Sequence, residues 1–60
     1  MKVTPEKIKS AREDAGFTQE QAAEMVFVTR LSWSNWERGV HPMPRAIFEY
    51  FIIVTRGVMK

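Results

Sequence analysis

The sequence predicts an all-α protein, a compact bundle of about four to five short helices in one domain over residues 1–60. Three observations favour this fold class. Residues that cap helices recur at short intervals, apolar residues repeat with helical spacing between them, and 60 residues suffice for only one domain. The one strand-like run, Ile52 to Val54, lies inside a window that a proline opens as a helix.

The first helix is expected over residues 5–15. Thr4 is a favourable N-cap, and Pro5 stands at the first helical position, where its missing N–H leaves no hydrogen bond unmade. An apolar stripe with the spacing i, i+3 and i+7 begins at Ile8. Gly16 follows where a residue in the left-handed conformation would end the helix.

The second helix is expected over residues 19–26. Thr18 and Gln21 have the spacing of a capping box, in which each side chain accepts a hydrogen bond from the other residue's backbone N–H. Ala23 is small where two helices would have to cross closely. Helix propensity alone would also explain an alanine at this position.

The third and fourth helices are expected over residues 30–37 and 44–56. Thr29 is the N-cap of the third helix, and two tryptophans three residues apart supply its inward apolar positions. Pro44 opens the fourth helix, which is expected to end near Gly57.

Composition excludes several kinds of site. The chain has no cysteine and a single histidine, His41, so disulfides, thiolate zinc sites and histidine-rich metal sites are excluded. It has no glycine-rich phosphate motif, and its longest apolar run, Tyr50 to Val54, is far too short for a membrane span. We therefore expect a soluble, cytoplasmic protein that is not an enzyme and needs no cofactor or metal.

Basic residues prevail in the C-terminal half of the chain. From Thr29 onward, only Glu37 and Glu49 are acidic. The basic residues over the same range are Arg30, Arg38, Arg45, Arg56 and Lys60. This balance suits an anionic partner such as nucleic acid, although an ordinary solvated surface explains it about equally well.

Three closely spaced stretches carry a more specific pattern: Thr18–Val26 (TQEQAAEMV), Val28–Arg30 (VTR) and Trp33–Gly39 (WSNWERG). The pattern resembles helices 2 and 3 of the Cro/lambda-repressor, or XRE, family of helix-turn-helix proteins, which read roughly T-Q-x-x-L-A-x-x-L-G-V-S-x-x-x-I-S-x-W-E-x-G. Arg12 and Gly16 also match the family's helix-1 arginine and the glycine that follows it. The resemblance covers about residues 5–54 and implies an ion pair between Arg12 and Glu37.

Two features depart from the family pattern. Phe27 stands in the turn where the family usually has glycine with a positive φ, so the turn is either remodelled or held by packing. An exposed Phe27 would instead suit a contact to DNA backbone or to a partner. Ala22 replaces a leucine and Trp33 replaces valine or isoleucine, which we interpret as an exchange of volume between two contacting helices.

The resemblance implies that the third helix reads double-stranded DNA from its outward side, since an α-helix fits the major groove. The expected base-reading residues are Arg30, Leu31, Ser34 and Asn35. Arg30 suits guanine, Asn35 suits adenine, and Leu31 suits a thymine methyl group. Phosphate contacts are expected around this helix from Gln19, Thr29, Arg38, His41 and Arg45.

The fourth helix is apolar around most of its circumference, from Ile47 to Val54. A surface helix of a monomer needs a single apolar stripe, so the second face predicts a homodimer. The expected interface residues are Phe48, Ile52 and Thr55. The alternative is that this helix is simply the centre of the core.

The sequence therefore predicts a sequence-specific DNA-binding transcriptional regulator, a dimeric repressor or autorepressor of an inverted-repeat operator. No small-molecule inducer is expected, and the location would be a bacterial nucleoid or phage-infected cell. The W-x-x-W-E-R-G stretch with F-E-Y-F after it resembles the anti-CRISPR-associated autorepressors of phages and mobile elements. The alternative is a protein-interaction module, such as an antitoxin or adaptor, that uses the apolar face of the fourth helix.

Overall fold

A computed structural model of the chain describes the backbone of residues 3–58 and the side chains of residues 3–56. Within this range the fold has no strand and four helices: α1 (Pro5–Ala15), α2 (Gln19–Met25), α3 (Arg30–Arg38) and α4 (Arg45–Val58). The all-α prediction is confirmed, and α1 to α3 lie within one residue of their predicted bounds. No helix in the described part of the chain is long and apolar enough to cross a bilayer.

The helix ends follow from their capping residues. The Thr4 hydroxyl accepts a hydrogen bond from the Lys7 N–H at 3.2 Å, and Gly16 ends α1 with a φ of 81°, which glycine adopts without strain. Thr18 and Gln21 form the predicted capping box of α2. Its two hydrogen bonds measure 3.1 and 3.0 Å.

Helix α4 differs from its predicted bounds. Its first residue is Arg45, because the Pro44 carbonyl accepts the N–H groups of Ile47 and Phe48 from just outside the helix, at 3.1 Å each. The helix runs to Val58, one residue past Gly57, near which it was expected to end. A glycine weakens a helix by about 1 kcal/mol without breaking it, so the last turn can include Gly57.

The core lies between the four helices and is rich in aromatic rings. Trp33 is fully buried beside Trp36 and Phe51, with ring centroids 5.8 and 5.0 Å away, and Phe17 meets Phe51 edge-on at 6.3 Å. Both tryptophans are therefore core residues, as predicted. Ala22, where the family has leucine, is fully buried in the same cluster as Trp33. The other buried apolar residues are Ile8, Ala23, Val26, Met43 and Phe48.

The turn between α2 and α3 keeps the left-handed conformation despite its phenylalanine. Phe27 has a φ of 63°, and its N–H donates to the Glu24 carbonyl while the Val28 N–H donates to Ala23, at 3.2 and 3.0 Å. The Phe27 ring is 84% exposed and lies 6.4 Å from the Tyr50 ring. The turn is neither remodelled nor held by burial, so Phe27 carries the strain of a bulky residue at positive φ.

Replacing Phe27 by glycine should therefore stabilise the fold. Phe27→Gly removes the clash between Cβ and the following carbonyl oxygen and sacrifices little buried surface. We expect the free energy of unfolding to rise by about 1 kcal/mol, measured by urea unfolding. Phe27→Ala is the matched control, since it removes the ring but keeps Cβ. An equal gain in Phe27→Ala would show that the exposed ring, and not the backbone, is the source of the strain.

Candidate nucleic-acid interface

The outward side of α3 carries the four predicted base-reading residues. Successive residues of a helix are rotated by about 100°, which sets these four on an arc opposite the buried Trp33 and Trp36. Arg30 and Leu31 are exposed, Leu31 by 67%, while Ser34 and Asn35 are partly exposed. The arc thus combines a cation, an apolar side chain, a hydroxyl and an amide.

Arg38 lies on the same side of α3, near its C-terminal end. Its Nη2 donates a hydrogen bond to Asn35 Oδ1 at 2.6 Å. The sequence prediction assigned Arg38 to a phosphate, and the contact with a predicted base reader was missed. The spacing i, i+3 was the available signal, because side chains three apart on a helix are neighbours.

Behind this face, the carboxylate of Glu37 joins α3 to two other helices. It accepts hydrogen bonds from Arg12 Nε at 2.6 Å and Nη2 at 3.2 Å, from Trp33 Nε1 at 2.6 Å, and from Gln19 Nε2 at 3.0 Å. Arg12 Nη1 also donates to the Phe17 carbonyl at 3.0 Å. The ion pair implied by the family resemblance is confirmed, whereas the contacts from Trp33 and Gln19 were not predicted.

The Arg12 and Glu37 side chains are shielded from solvent, with 14% and 5% of their surface exposed. Burial on its own raises the pKa of Glu37, but hydrogen bonds from Arg12, Gln19 and Trp33 outweigh it and hold that pKa below its usual value. The hydrogen bond with Glu37 also raises the pKa of Arg12. Both groups are therefore charged at neutral pH, and their paired geometry fixes how α3 is rotated against α1.

Two of the predicted phosphate-binding residues have internal partners. The side-chain amide of Gln19 donates to Glu37, so its backbone N–H at the start of α2 remains the group suited to an anion. The Thr29 hydroxyl accepts a hydrogen bond from the Ser32 N–H at 3.1 Å, as the N-cap of α3. Gln19 thus links α2 to α3, and Thr29 caps α3, in addition to any external contact.

The remaining predicted phosphate-binding residues, Arg45 and His41, are at the surface, as is Arg38. Arg45 pairs with Glu49 one turn later in α4, Nε to Oε2 at 2.9 Å, with 63% and 49% of the two side chains exposed. Such an exposed pair is worth only about 0–1 kcal/mol, so a phosphate can compete for Arg45. His41 is exposed in the connection between α3 and α4.

The residues predicted for a dimer interface are mostly turned inward. Phe48 is 7% exposed and Thr55 is 4% exposed, and the Thr55 hydroxyl donates to the Phe51 carbonyl at 2.8 Å. Ile52 is partly exposed, and Ile53 beside it is 66% exposed. An open groove of about 450 Å³ separates α1 from α4 here, lined by Lys7, Ser10, Ala11, Asp14, Phe48, Ile52, Thr55 and Arg56.

Known families supply an independent comparison. A family model described as a helix-turn-helix domain matches residues 6–58, a range that takes in nearly all of the four helices. No curated protein and no solved structure gave a match. Among the described residues, no cluster of histidine, cysteine or carboxylate side chains could hold a metal ion.

Removing either Arg12 or Glu37 should destabilise the fold more than removing a surface charge. Each change leaves the other charge buried without its partner, which costs up to about 3 kcal/mol. The double variant Arg12→Ala/Glu37→Ala should be less destabilised than the sum of the single variants. Urea unfolding of the four proteins measures the coupling, with the exposed pair Arg45 and Glu49 as the matched control. Strict additivity at Arg12 and Glu37 would contradict the pairing.

Acid should weaken the fold through Glu37. The pKa of its carboxyl is lowered on folding, so its contribution to stability is complete above the unfolded value of about 4.3 and is lost as pH falls through the lower folded value. Glu37→Gln lacks this titration, so the stability difference between wild type and variant should shrink as pH falls below about 4. Urea unfolding across this range tests it; a difference that stays constant would mean that the folded chain does not favour the charged form.

Proposed function

The chain belongs to the helix-turn-helix domain family, of the Cro/XRE type, and on that premise we propose that it is a sequence-specific, dimeric transcriptional repressor. Membership of this family makes it a DNA-binding protein in general terms. The proposal adds an inverted-repeat operator, a homodimer, and repression by covering a promoter, including the chain's own. The observation that carries it is the outward face of α3, where polar and apolar groups stand opposite two buried tryptophans.

We propose that α3 lies in the major groove with its outward side toward the base edges. Arg30 can donate two hydrogen bonds to guanine O6 and N7, and Leu31 can contact a thymine methyl group. Ser34 can donate to or accept from either kind of base pair. Leu31 supports this assignment, since it is 67% exposed at the start of a helix whose other apolar residues are buried.

Phosphate contacts would then fix the position of α3 along the groove. We assign them to the backbone N–H of Gln19, to Thr29, to His41 and to Arg45. Arg45 would exchange Glu49 for a phosphate, which is a small loss because the pair is exposed. Each cation that binds a phosphate releases counterions, so affinity should fall steeply with salt. Arg38, first expected in this group, is better placed among the base-reading residues because it contacts Asn35.

We propose that the dimer forms through the outer side of α4 next to the groove between α1 and α4. Ile52 and Ile53 would form the centre of the dimer interface, and Phe48 and Thr55 would lie at the edge of the interface nearest the core. The groove is bordered by charges of both signs, including Asp14 and Arg56. A two-fold interface presents the same patch twice, so such a patch can pair its own opposite charges.

A second candidate is a protein-interaction module of the antitoxin or adaptor kind. The observation that favours it is the exposed pair of aromatic rings, Phe27 and Tyr50, whose centroids lie 6.4 Å apart. Exposed aromatic residues are typical of binding surfaces. In this case DNA binding would serve to bring a protein partner to the operator.

Selection of bound sequences from a random duplex pool tests the repressor proposal. We expect an inverted repeat with half-sites about 10 bp apart, because the symmetry of the dimer is mirrored in the DNA. Ultracentrifugation should show a dimer, and Ile53→Asp should yield a monomer with weak binding. Val40→Asp is the matched control, since Val40 is also exposed, by 53%, but lies outside α4. A single asymmetric site bound by a monomer would contradict the proposal.

A further inference from the structure

We propose that Asn35 and Arg38 form one reading unit that selects guanine, and that Arg38 determines which base Asn35 prefers. The inference rests on the proposed function, because it concerns how α3 reads DNA. It replaces the adenine preference that the sequence alone suggests for Asn35. The observation behind it is the hydrogen bond of 2.6 Å from Arg38 Nη2 to Asn35 Oδ1.

The contact fixes which end of the Asn35 amide faces a base. An asparagine that reads adenine uses both ends, because Oδ1 accepts from the adenine N6 amino group while Nδ2 donates to N7. In this protein Oδ1 points to Arg38. The Nδ2 group, which can only donate, is therefore the end of the amide left for the groove.

The positive charge of the Arg38 guanidinium group adds an electrostatic preference for guanine to the geometric one. Oδ1 has a second lone pair that could still accept a hydrogen bond. However, the adenine and cytosine amino groups are donors with partial positive charge, and each would meet the cation beside Oδ1. Guanine presents two acceptors in the major groove, O6 and N7, and no donor there. Thymine presents a single acceptor, O4, so guanine is the base that satisfies both the Nδ2 group and the remaining N–H groups of Arg38.

No carboxylate of α3 competes for Arg38. Glu37 is the only acidic residue of this helix, and its oxygens are occupied by Arg12, Gln19 and Trp33. Its side chain is 5% exposed, whereas Arg38 is exposed. The inward position of Glu37 therefore leaves the positive charge of Arg38 on the reading face, next to Asn35.

The test is sequence selection with the wild type and three variants: Asn35→Ala, Arg38→Ala and Arg38→Lys. The position that Asn35 reads is the one whose preference Asn35→Ala loses. We expect wild type to prefer guanine there. Arg38→Ala should shift the preference toward adenine by about tenfold, because the freed Oδ1 can accept from N6. Arg38→Lys keeps the charge without the planar fork, so it should restore affinity but only part of the guanine preference.

The outcomes separate this inference from the proposed function. An inverted-repeat site with adenine at the Asn35 position would overturn the inference and leave the repressor proposal standing. The same holds if Asn35→Ala loses no base preference, or if both Arg38 variants keep the guanine preference of wild type. A wild-type protein with no sequence preference would overturn both. Thermal unfolding of each variant checks the fold, which should be unchanged because Arg38 is exposed.

Discussion

A single carboxylate determines how the reading helix is held. Glu37 lies near the end of α3 and accepts hydrogen bonds from Arg12 of α1, from Gln19 of α2 and from Trp33 of its own helix. The other anchors of α3 are two tryptophan rings, which pack on apolar surface without strong directional preference. The hydrogen bonds to Glu37 supply that direction, so they fix the rotation of α3 about its axis. That rotation decides which side chains face outward.

Local features of the chain were predictable from the sequence, and contacts between side chains were less so. Thr4 and Thr18 mark helix starts because a cap depends only on residues three positions away. The Arg12–Glu37 pair was accessible only through the family resemblance, since its partners lie far apart in sequence. The inward position of Thr55 was not predictable, because a threonine can satisfy its hydroxyl on its own helix and then enter the core. The contact of Arg38 with Asn35 depends on rotamers, which spacing alone does not fix.

The charged side chains are of two kinds: some are held by buried hydrogen bonds, and others are exposed and can change partners. Arg12 and Glu37 have several hydrogen-bond partners each and are shielded from water, so they hold the helices in a fixed geometry. The pair of Arg45 and Glu49 is exposed and weak, so its cation is available to another anion. Helix α4 likewise has a buried side and an exposed side: Phe51 is fully buried, whereas Ile53 is exposed. Such a division suits a small domain that must keep its shape while its surface changes partners.

The positive φ of Phe27 has a consequence for how the sequence can change. The residues that relieve strain at such a position are glycine and, less well, asparagine or aspartate. None of these is reached from a phenylalanine codon by a single nucleotide substitution, which gives only leucine, isoleucine, valine, serine, tyrosine or cysteine. Every first step except tyrosine therefore gives up the aromatic ring next to Tyr50 while the backbone strain remains. The genetic code itself thus keeps this turn away from its most stable sequence.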